Sequence, residues 1–349
     1  MFALTLLVFL IILGLLIFVH EAGHFVLAKL SGVKVEEFAF GFPPRLVCRK
    51  RGETKYCINL FPVGGYVKML GEDEDSSSSR SFSKKKARFR IMIVVAGVAM
   101  NFILGGLLLS LGYGIGMSPI SVNPDEFPSK VNEVVVAQVN EDSPAKSAGI
   151  KEGDVIFGFK DINDFADYTK ENLNNEISLS VNRGGEKLDK KIKVSSNIDA
   201  PIGVGLVDIP SVKLPFFSAI YYGFKDMVLT SKNVAVALYM IVAGIFKTGK
   251  VGESIAGPVG IFHITGQAVS LGFIYIVQLA ALLSINLAII NILPFPGLDG
   301  SRALIIFLEG VFRKQVMRSE IESVLHTVGF ILLIVLILLV TFKDVVSLI

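Results

Sequence analysis

The sequence predicts a polytopic α-helical membrane protein, with about four transmembrane helices, a small membrane-associated β-hairpin sheet and one inserted extracytoplasmic α+β domain. The first indication is composition. The 349 residues are 52% hydrophobic and 19% charged, with a mean hydropathy of +0.62, which is more apolar than ordinary soluble enzymes. The second indication is a series of apolar windows about as long as a bilayer-spanning helix, at residues 2–19, 91–117, 271–290 and 324–342.

The distribution of basic residues predicts the orientation of these spans. A basic run at 84–90 lies directly before the second span, and Arg313, Lys314 and Arg318 lie between the third and fourth spans. The insert at about 118–214 is instead rich in Asp and Glu. Because cytoplasmic loops carry the excess of Lys and Arg, both basic connections are predicted to be cytoplasmic and the insert extracytoplasmic. The basic run is interpreted as an anchor to the lipid bilayer, and no nucleic-acid partner is expected.

This interpretation divides the chain into four parts. Residues 1–117 hold the first two spans and their connection, and residues 118–213 form the inserted domain. Residues 214–250 are amphipathic and helical; their charges favour a helix lying along the membrane interface, although a fifth span is left open. Residues 251–349 hold the third and fourth spans.

The connection between the first two spans is predicted to contain a small hairpin sheet. Residues 33–40 and 56–60 have the β-branched and aromatic composition of short strands, and the run 41–44 is expected to end the first strand. Sheet backbone close to a membrane is tolerated only where it is paired or lines a cavity. Cys48 and Cys57 lie in this connection; they match no zinc motif and are expected to be ordinary thiols.

One stretch of the insert combines small residues with turn signals. Residues 143–145 read Ser-Pro-Ala, and residues 148–150 and 153–156 read Ala-Gly-Ile and Gly-Asp-Val-Ile. This stretch resembles the signature of a PDZ domain, in which the Pro-Ala pair starts a short helix and Gly-Asp turns the chain into the next strand. Such a domain exposes a sheet edge beside a helix, where an extended peptide can add as a strand; a β-rich spacer without a ligand is the alternative. The module's size fits the helix and strands predicted next, at 165–174, 177–183 and 190–195.

The motif His-Glu-x-x-His occupies residues 20–24, at the end of the first apolar window. On a helix, His20 and His24 are four residues apart, so both imidazoles leave the same face and can bind one zinc ion. Glu21 projects beside them, where a general base for a metal-activated water is needed. Ionisable residues in an apolar segment are candidates for a functional site.

A catalytic zinc site needs a third protein ligand. The candidate is Asp299, in a run after the third span that reads Leu-Pro-Phe-Pro-Gly-Leu-Asp-Gly, where proline and glycine must break the helix. The first and third spans run in the same direction, so His24 and Asp299 are both predicted near the cytoplasmic side. Asn286 and Asn291 are polar residues in the third span. They are consistent with helix–helix hydrogen bonds or, equally, with contacts to a substrate backbone.

The His-Glu-x-x-His motif, the Asn-x-x-Pro-x-Pro-x-Leu-Asp-Gly run and the PDZ-like insert together resemble the site-2 protease family of intramembrane zinc metalloproteases. The arrangement is most similar to the bacterial regulator-of-sigma-E protease type, and the resemblance covers nearly the whole chain. It implies single-pass transmembrane substrates that a site-1 protease has already cut, and a location in the bacterial inner membrane. The residues it implies are the zinc ligands His20, His24 and Asp299, the catalytic Glu21 and the substrate-binding Asn286 and Asn291.

Some positions depart from the family pattern, namely Pro43, Val98 and the pair Ser301-Arg302. Two rival functions are a non-catalytic PDZ scaffold and a zinc or ion transporter. The scaffold predicts a lost ligand or a lost Glu21, and the transporter predicts inverted repeats; the sequence shows neither. The other two histidines, His263 and His326, have no partner at ligand spacing and are interpreted as structural.

Overall fold

The structure, a computed structural model, describes residues 1–72, 76–128, 130–198, 200–248, 256–317 and 319–347. Helices and two small sheets make up these parts of the chain. The helices are α1 (Phe2–Leu30), α2 (Ala87–Ile115), α3 (Pro144–Ser147), α4 (Ile162–Glu171), α5 (Phe216–Thr248), α6 (Pro258–Leu271), α7 (Phe273–Ile292), α8 (Asp299–Phe312) and α9 (Ser319–Ser347). The strands are β1 (Val35–Arg51), β2 (Thr54–Met69), β3 (Val131–Val139), β4 (Val155–Ile156), β5 (Glu176–Arg183), β6 (Glu186–Lys193) and β7 (Val204–Ser211).

Within the described residues, five helices are long and apolar enough to cross a membrane. Four of them, α1, α2, α7 and α9, coincide with the predicted apolar windows. The fifth candidate is Phe216–Gly244 of α5, in the segment whose charges favour an interfacial helix and for which a fifth span is the alternative. The structure therefore has one more candidate span than the four expected. The predicted boundary at 250/251 lies outside the described residues.

The chain divides into two compact units. The first comprises Met1–Gly105, Thr230–His263 and Ala280–Ile349, and the second comprises Gly106–Leu229 and Ile264–Leu279. In the first unit, the end of α1, the start of β1, α2 and α8 share an apolar core. Its buried members include Ala28, Val33, Val35, Ile93 and Ile306.

The hairpin of the first unit has longer strands than the sequence predicts. Residues 37–40 of β1 pair with 65–68 of β2 and also with 55–58, so β2 lies on both sides of this segment. The expected strand end at 41–44 is wrong: Gly41 adopts a φ of +83°, and β1 bends there and continues to Arg51. The side-chain amide of Asn59 donates to the Gly41 carbonyl oxygen at 2.9 Å and supports the bend.

The prediction of free thiols in this hairpin is also wrong. The register places Cys48 opposite Cys57, with their Cα atoms 4.2 Å apart, and a disulfide joins them. Cysteines opposite one another on paired strands are close enough to bond. The pairing could not be anticipated because the sequence predicts that β1 ends before Cys48.

The second unit contains a five-stranded antiparallel sheet in the order β6-β5-β4-β3-β7. Its apolar core includes Val134, Ile156, Phe165, Leu179 and Ile192. Helix α4 begins earlier than predicted because the Asp161 carboxylate caps it, accepting the Asp164 backbone N–H at 2.9 Å. The edge strand β7 was not anticipated from the sequence.

Candidate metal centre

The two histidines of α1 lie on one face of the helix, as their spacing requires. His20 and His24 are each 8% exposed, and their ring centroids are 4.8 Å apart. Their Nε2 atoms approach to 3.3 Å. A pair of imidazoles buried this closely, with both Nε2 atoms facing each other, is suited to binding one cation between them.

The Pro-Phe-Pro-Gly run brings Asp299 to these histidines. Helix α7 ends at Ile292 and α8 begins at Asp299, so the predicted break occurs. Gly297 adopts a φ of +95°, and a Cβ atom there would lie 2.9 Å from the Phe330 backbone nitrogen. The Gly297 N–H donates to Nδ1 of His326 at 3.2 Å, which ties the turn to α9. Only glycine fits this turn, because a side chain would be strained and would strike α9.

The three candidate ligand atoms form a nearly equilateral triangle. Oδ2 of Asp299 lies 3.0 Å from Nε2 of His20 and 3.3 Å from Nε2 of His24. Ligand atoms around a tetrahedral zinc ion, each 2.0–2.1 Å from it, lie about 3.3–3.4 Å from one another. The observed spacings match this value, so the three residues fit a zinc ion.

The electrostatics of Asp299 agree with a cation site. Its Oδ2 atom is buried and accepts no hydrogen bond. Burial alone would raise the pKa of Asp299, but His24 and His20 beside it, where they carry a proton, hold that pKa below its ordinary value. The group is therefore an anion at neutral pH, with one oxygen available to a metal.

Helix α2 orients both histidines, and this contribution was not anticipated from the sequence. Nδ1 of His24 lies 2.9 Å from the Ile93 carbonyl oxygen, to which it can donate. Nδ1 of His20 lies 3.3 Å from the side-chain amide nitrogen, Nδ2, of the fully buried Asn101. The amide oxygen and nitrogen are interchangeable by rotation, so Asn101 can accept from Nδ1–H. Both Nε2 atoms are then available for a metal.

Gly97 of α2 leaves the space that the centre occupies. A Cβ atom at this position would lie 2.4 Å from Nε2 of His24 and 2.8 Å from Cε1 of His20. Helix α1 is also packed tightly, since a Cβ atom on Gly23 would lie 2.5 Å from the Ala96 carbonyl oxygen. The two glycines bring the helices together and keep the histidine nitrogens uncovered. In the sequence, the sign of this close helix packing is a glycine four residues before Asn101 in an apolar span.

Glu21 lies in the same cavity as the three candidate ligands. The cavity measures about 290 Å³ and is bordered by β2 and by the start of α8. Gly65 of β2 packs against Glu21, and a Cβ atom there would lie 2.9 Å from Cγ of Glu21. The Glu21 carboxylate therefore faces a cavity that a peptide segment could enter. The strand beside it, β2, has no side chain at the point of contact, which is Gly65. The lining residues are His20, Glu21, His24, Gly65, Tyr66, Val67, Met69, Glu72, Val94, Gly297, Asp299 and Arg302.

The two asparagines of α7 are placed differently. The Nδ2 atom of Asn291 lies 3.5 Å from Nε2 of His20, so Asn291 reaches the centre. Asn286 is half-buried, and its amide oxygen is buried without a hydrogen-bond donor. The structure therefore places Asn291 beside the candidate ligands and leaves Asn286 with an unused acceptor.

Comparison with known proteins agrees with this geometry. The family model of peptidase family M50 matches residues 8–336. A protein of Clostridium acetobutylicum that carries the name of a zinc metalloprotease is 36% identical, over 95% of each chain. The regulator of sigma-W protease RasP of Bacillus subtilis is 31% identical over 99% of each chain, and the zinc metalloprotease RasP of Shouchella clausii is 30% identical over 98%. The chain therefore belongs to peptidase family M50, the site-2 protease family, and is a multi-pass membrane zinc metalloendopeptidase.

Proposed function

We propose that this protein hydrolyses peptide bonds in or near the transmembrane segments of single-pass membrane proteins. The observation that carries the proposal is a zinc-sized triangle of His20, His24 and Asp299, sharing a cavity with Glu21. Three of these four residues, His20, Glu21 and His24, belong to α1, which is apolar enough to span a membrane. A hydrolytic site on such a helix is suited to substrates that are themselves in the membrane.

In this proposal the three triangle residues hold the metal, and Glu21 moves protons. Zinc, when bound, polarises the scissile carbonyl and lowers the pKa of water toward about 7. Glu21 accepts the proton of the attacking water and later delivers it to the leaving amine. Asn101 and the Ile93 carbonyl keep the two imidazoles oriented throughout.

A transmembrane helix hides its carbonyl groups, so the substrate must unwind before it is cut. Residues 65–68 of β2 pair with β1 on one side and border Glu21 at Gly65. We infer that the unwound substrate lies as a strand along this part of β2. Pro43 lies outside the pairing of 37–40 with 65–68, so its missing N–H leaves that pairing intact. Asn286 and Asn291 would hydrogen bond to the backbone groups that unwinding exposes.

The setting proposed for this reaction is the bacterial inner membrane. The active site would lie near the cytoplasmic side, and the five-stranded domain, interpreted as a PDZ domain, would lie outside. There it would bind a peptide or a substrate tail and admit substrates already trimmed by a site-1 protease. Anti-sigma factors and remnant signal peptides are substrates of this kind. A role in regulated intramembrane proteolysis is supported by the name of the Bacillus subtilis relative, regulator of sigma-W protease.

The proposal is tested on purified, detergent-solubilised protein by measuring zinc per chain and cleavage of a single-pass helix. Wild type and Glu21→Gln should both bind one zinc ion, and the variant should cleave about 10²- to 10⁴-fold more slowly, because it lacks the general base. Equal cleavage by both proteins would remove Glu21 from the mechanism. Zinc binding without cleavage by either would favour the scaffold or transporter functions.

A further inference from the structure

We propose that Arg302 is a substrate-binding residue of this centre. Its guanidinium would bind the scissile carbonyl oxygen as negative charge develops there, and then the carboxylate that hydrolysis leaves. This inference rests on the proposed peptide hydrolysis and adds to it a cationic group at the reacting carbonyl.

The position of Arg302 on α8 is the first observation. It follows Asp299 by three residues, and side chains three apart on a helix share one face. Both side chains line the cavity that contains Glu21. The helix that delivers the candidate metal ligand therefore also delivers a positive charge to the same volume.

The chemistry of the other lining residues is the second observation. Among the described residues that line this cavity, Arg302 is the one permanent cation. Tyr66 lines it too, but its hydroxyl donates to a carboxylate oxygen of Glu37 at 2.6 Å. Glu72 is an anion and would repel a developing oxyanion. Arg302 is thus the side chain of the cavity wall best suited to attract negative charge.

An ion pair holds Arg302 in place. Its guanidinium bonds to the Glu72 carboxylate, and the two side chains are 31% and 12% exposed. Glu72 also accepts the Met69 backbone N–H at 3.3 Å, which fixes it at the end of β2. Donors held in advance of the reaction need little reorganisation when charge develops, and this is the condition for strong electrostatic stabilisation.

The reaction creates the negative charge that Arg302 would bind. Water adds to the neutral carbonyl carbon, the C–N bond breaks, and the amine leaves with a proton delivered by Glu21. The other product ends in a carboxylate. The planar guanidinium matches a carboxylate through two parallel N–H···O bonds, which a lysine ammonium cannot form.

The test compares Arg302→Gln with Glu72→Gln in the full-length protein, using steady-state cleavage of a single-pass helix. Arg302→Gln should lower kcat about 10- to 100-fold, the value of a hydrogen bond to a charged group. Arg302→Lys should fall between this variant and wild type. Glu72→Gln should lose less kcat than Arg302→Gln, because Arg302 keeps its charge and loses only the ion pair that holds it in place. Zinc per chain, measured on each variant, shows whether the centre is intact.

A second measurement does not depend on turnover. In the Glu21→Gln background, a product peptide with a free C-terminal carboxylate should bind more tightly than its C-terminal amide. Adding Arg302→Gln should reduce this preference by about tenfold or more. If wild type fails to cleave the helix, the proposed function fails, and the binding measurement still tests Arg302.

Two results would overturn the proposal. One is cleavage by Arg302→Gln at the wild-type rate, with an unchanged carboxylate preference. The other is an equal loss of kcat in Arg302→Gln and Glu72→Gln, together with wild-type kcat in the charge-reversed double variant Glu72→Arg/Arg302→Glu. That pattern would assign Arg302 to a structural ion pair alone.

Discussion

Two carboxylates, one in each compact unit, are surrounded in opposite ways, although Asp299 is 23% exposed and only its Oδ2 atom is fully buried. Asp226 of α5 is fully buried and accepts hydrogen bonds from the Tyr113 hydroxyl at 2.7 Å, the Ile120 N–H at 3.1 Å and the Ser121 N–H at 2.8 Å. Asp299 of α8 lies against two imidazoles, and its Oδ2 accepts no hydrogen bond.

The difference separates a carboxylate whose partners all come from the protein from one that is a candidate metal ligand. A buried anion is costly unless donors surround it, and the protein itself supplies those donors to Asp226. Around Asp299 the protein supplies nitrogen ligands instead of N–H donors, so a cation is the partner that completes the environment. The groups around each carboxylate, more than its degree of burial, distinguish the two positions.

Of the changes considered, removing Asp299 should have the largest effect on zinc binding and cleavage. Asp299→Ala takes away one of three ligands, so zinc per chain should fall from one to below detection and cleavage should fall with it. Loss of a residue that only hydrogen bonds to a metal ligand costs about 10- to 100-fold in metal affinity, and loss of a ligand itself should cost more. Metal analysis after gel filtration measures the outcome, with Asp226→Ala as the matched control. Stoichiometric zinc in Asp299→Ala would exclude it from the ligand set.

Changing Asn101 should weaken the centre without destroying it. Asn101→Leu removes the acceptor for Nδ1–H of His20, so the apparent zinc affinity should fall about 10- to 100-fold. Asn101→Asp keeps an acceptor at the same place and should bind zinc more tightly than the leucine variant. Competition with a zinc chelator measures both affinities. Equal affinities for Asn101→Leu and wild type would show that Asn101 does not orient His20.

Removing Asp226 should affect stability and leave the metal in place. Asp226→Ala deprives a tyrosine hydroxyl and two backbone N–H groups of their acceptor, at a cost of about 2–4 kcal/mol in the free energy of unfolding. Asp226→Asn keeps an acceptor and should lose less. Thermal unfolding in detergent measures stability, and zinc per chain should stay at the wild-type value. A loss of zinc from folded Asp226→Ala would contradict the division between the two carboxylates.

The sequence predicts the parts of the centre that depend on spacing. His20 and His24 are four apart on one helix, and the Pro-Gly run before Asp299 could only end α7. Local geometry determines both features, so a single sequence is sufficient to anticipate them. The same holds for the four apolar windows, because each is a run of consecutive apolar residues about as long as a bilayer is thick.

The parts that the sequence does not predict depend on backbone and register. The Ile93 oxygen that faces His24 is a backbone atom, which every residue type has. Gly97 contributes by having no side chain, so that the space beside the histidines stays open. The disulfide between Cys48 and Cys57 follows from a strand that bends at Gly41 where the pattern predicts an end. Pairing across such a bend is a tertiary property and leaves no local signal.

The tight packing at Gly97 has a consequence for what this fold can become. The volume beside Nε2 of His24 is small enough that a single methyl group on α2 would fill it. A Cβ atom at position 97 would therefore compete with a metal ion for the same space, although all three candidate ligands would still be present. Replacing one hydrogen atom of Gly97 with a methyl group is therefore expected to block metal binding between α1 and α2.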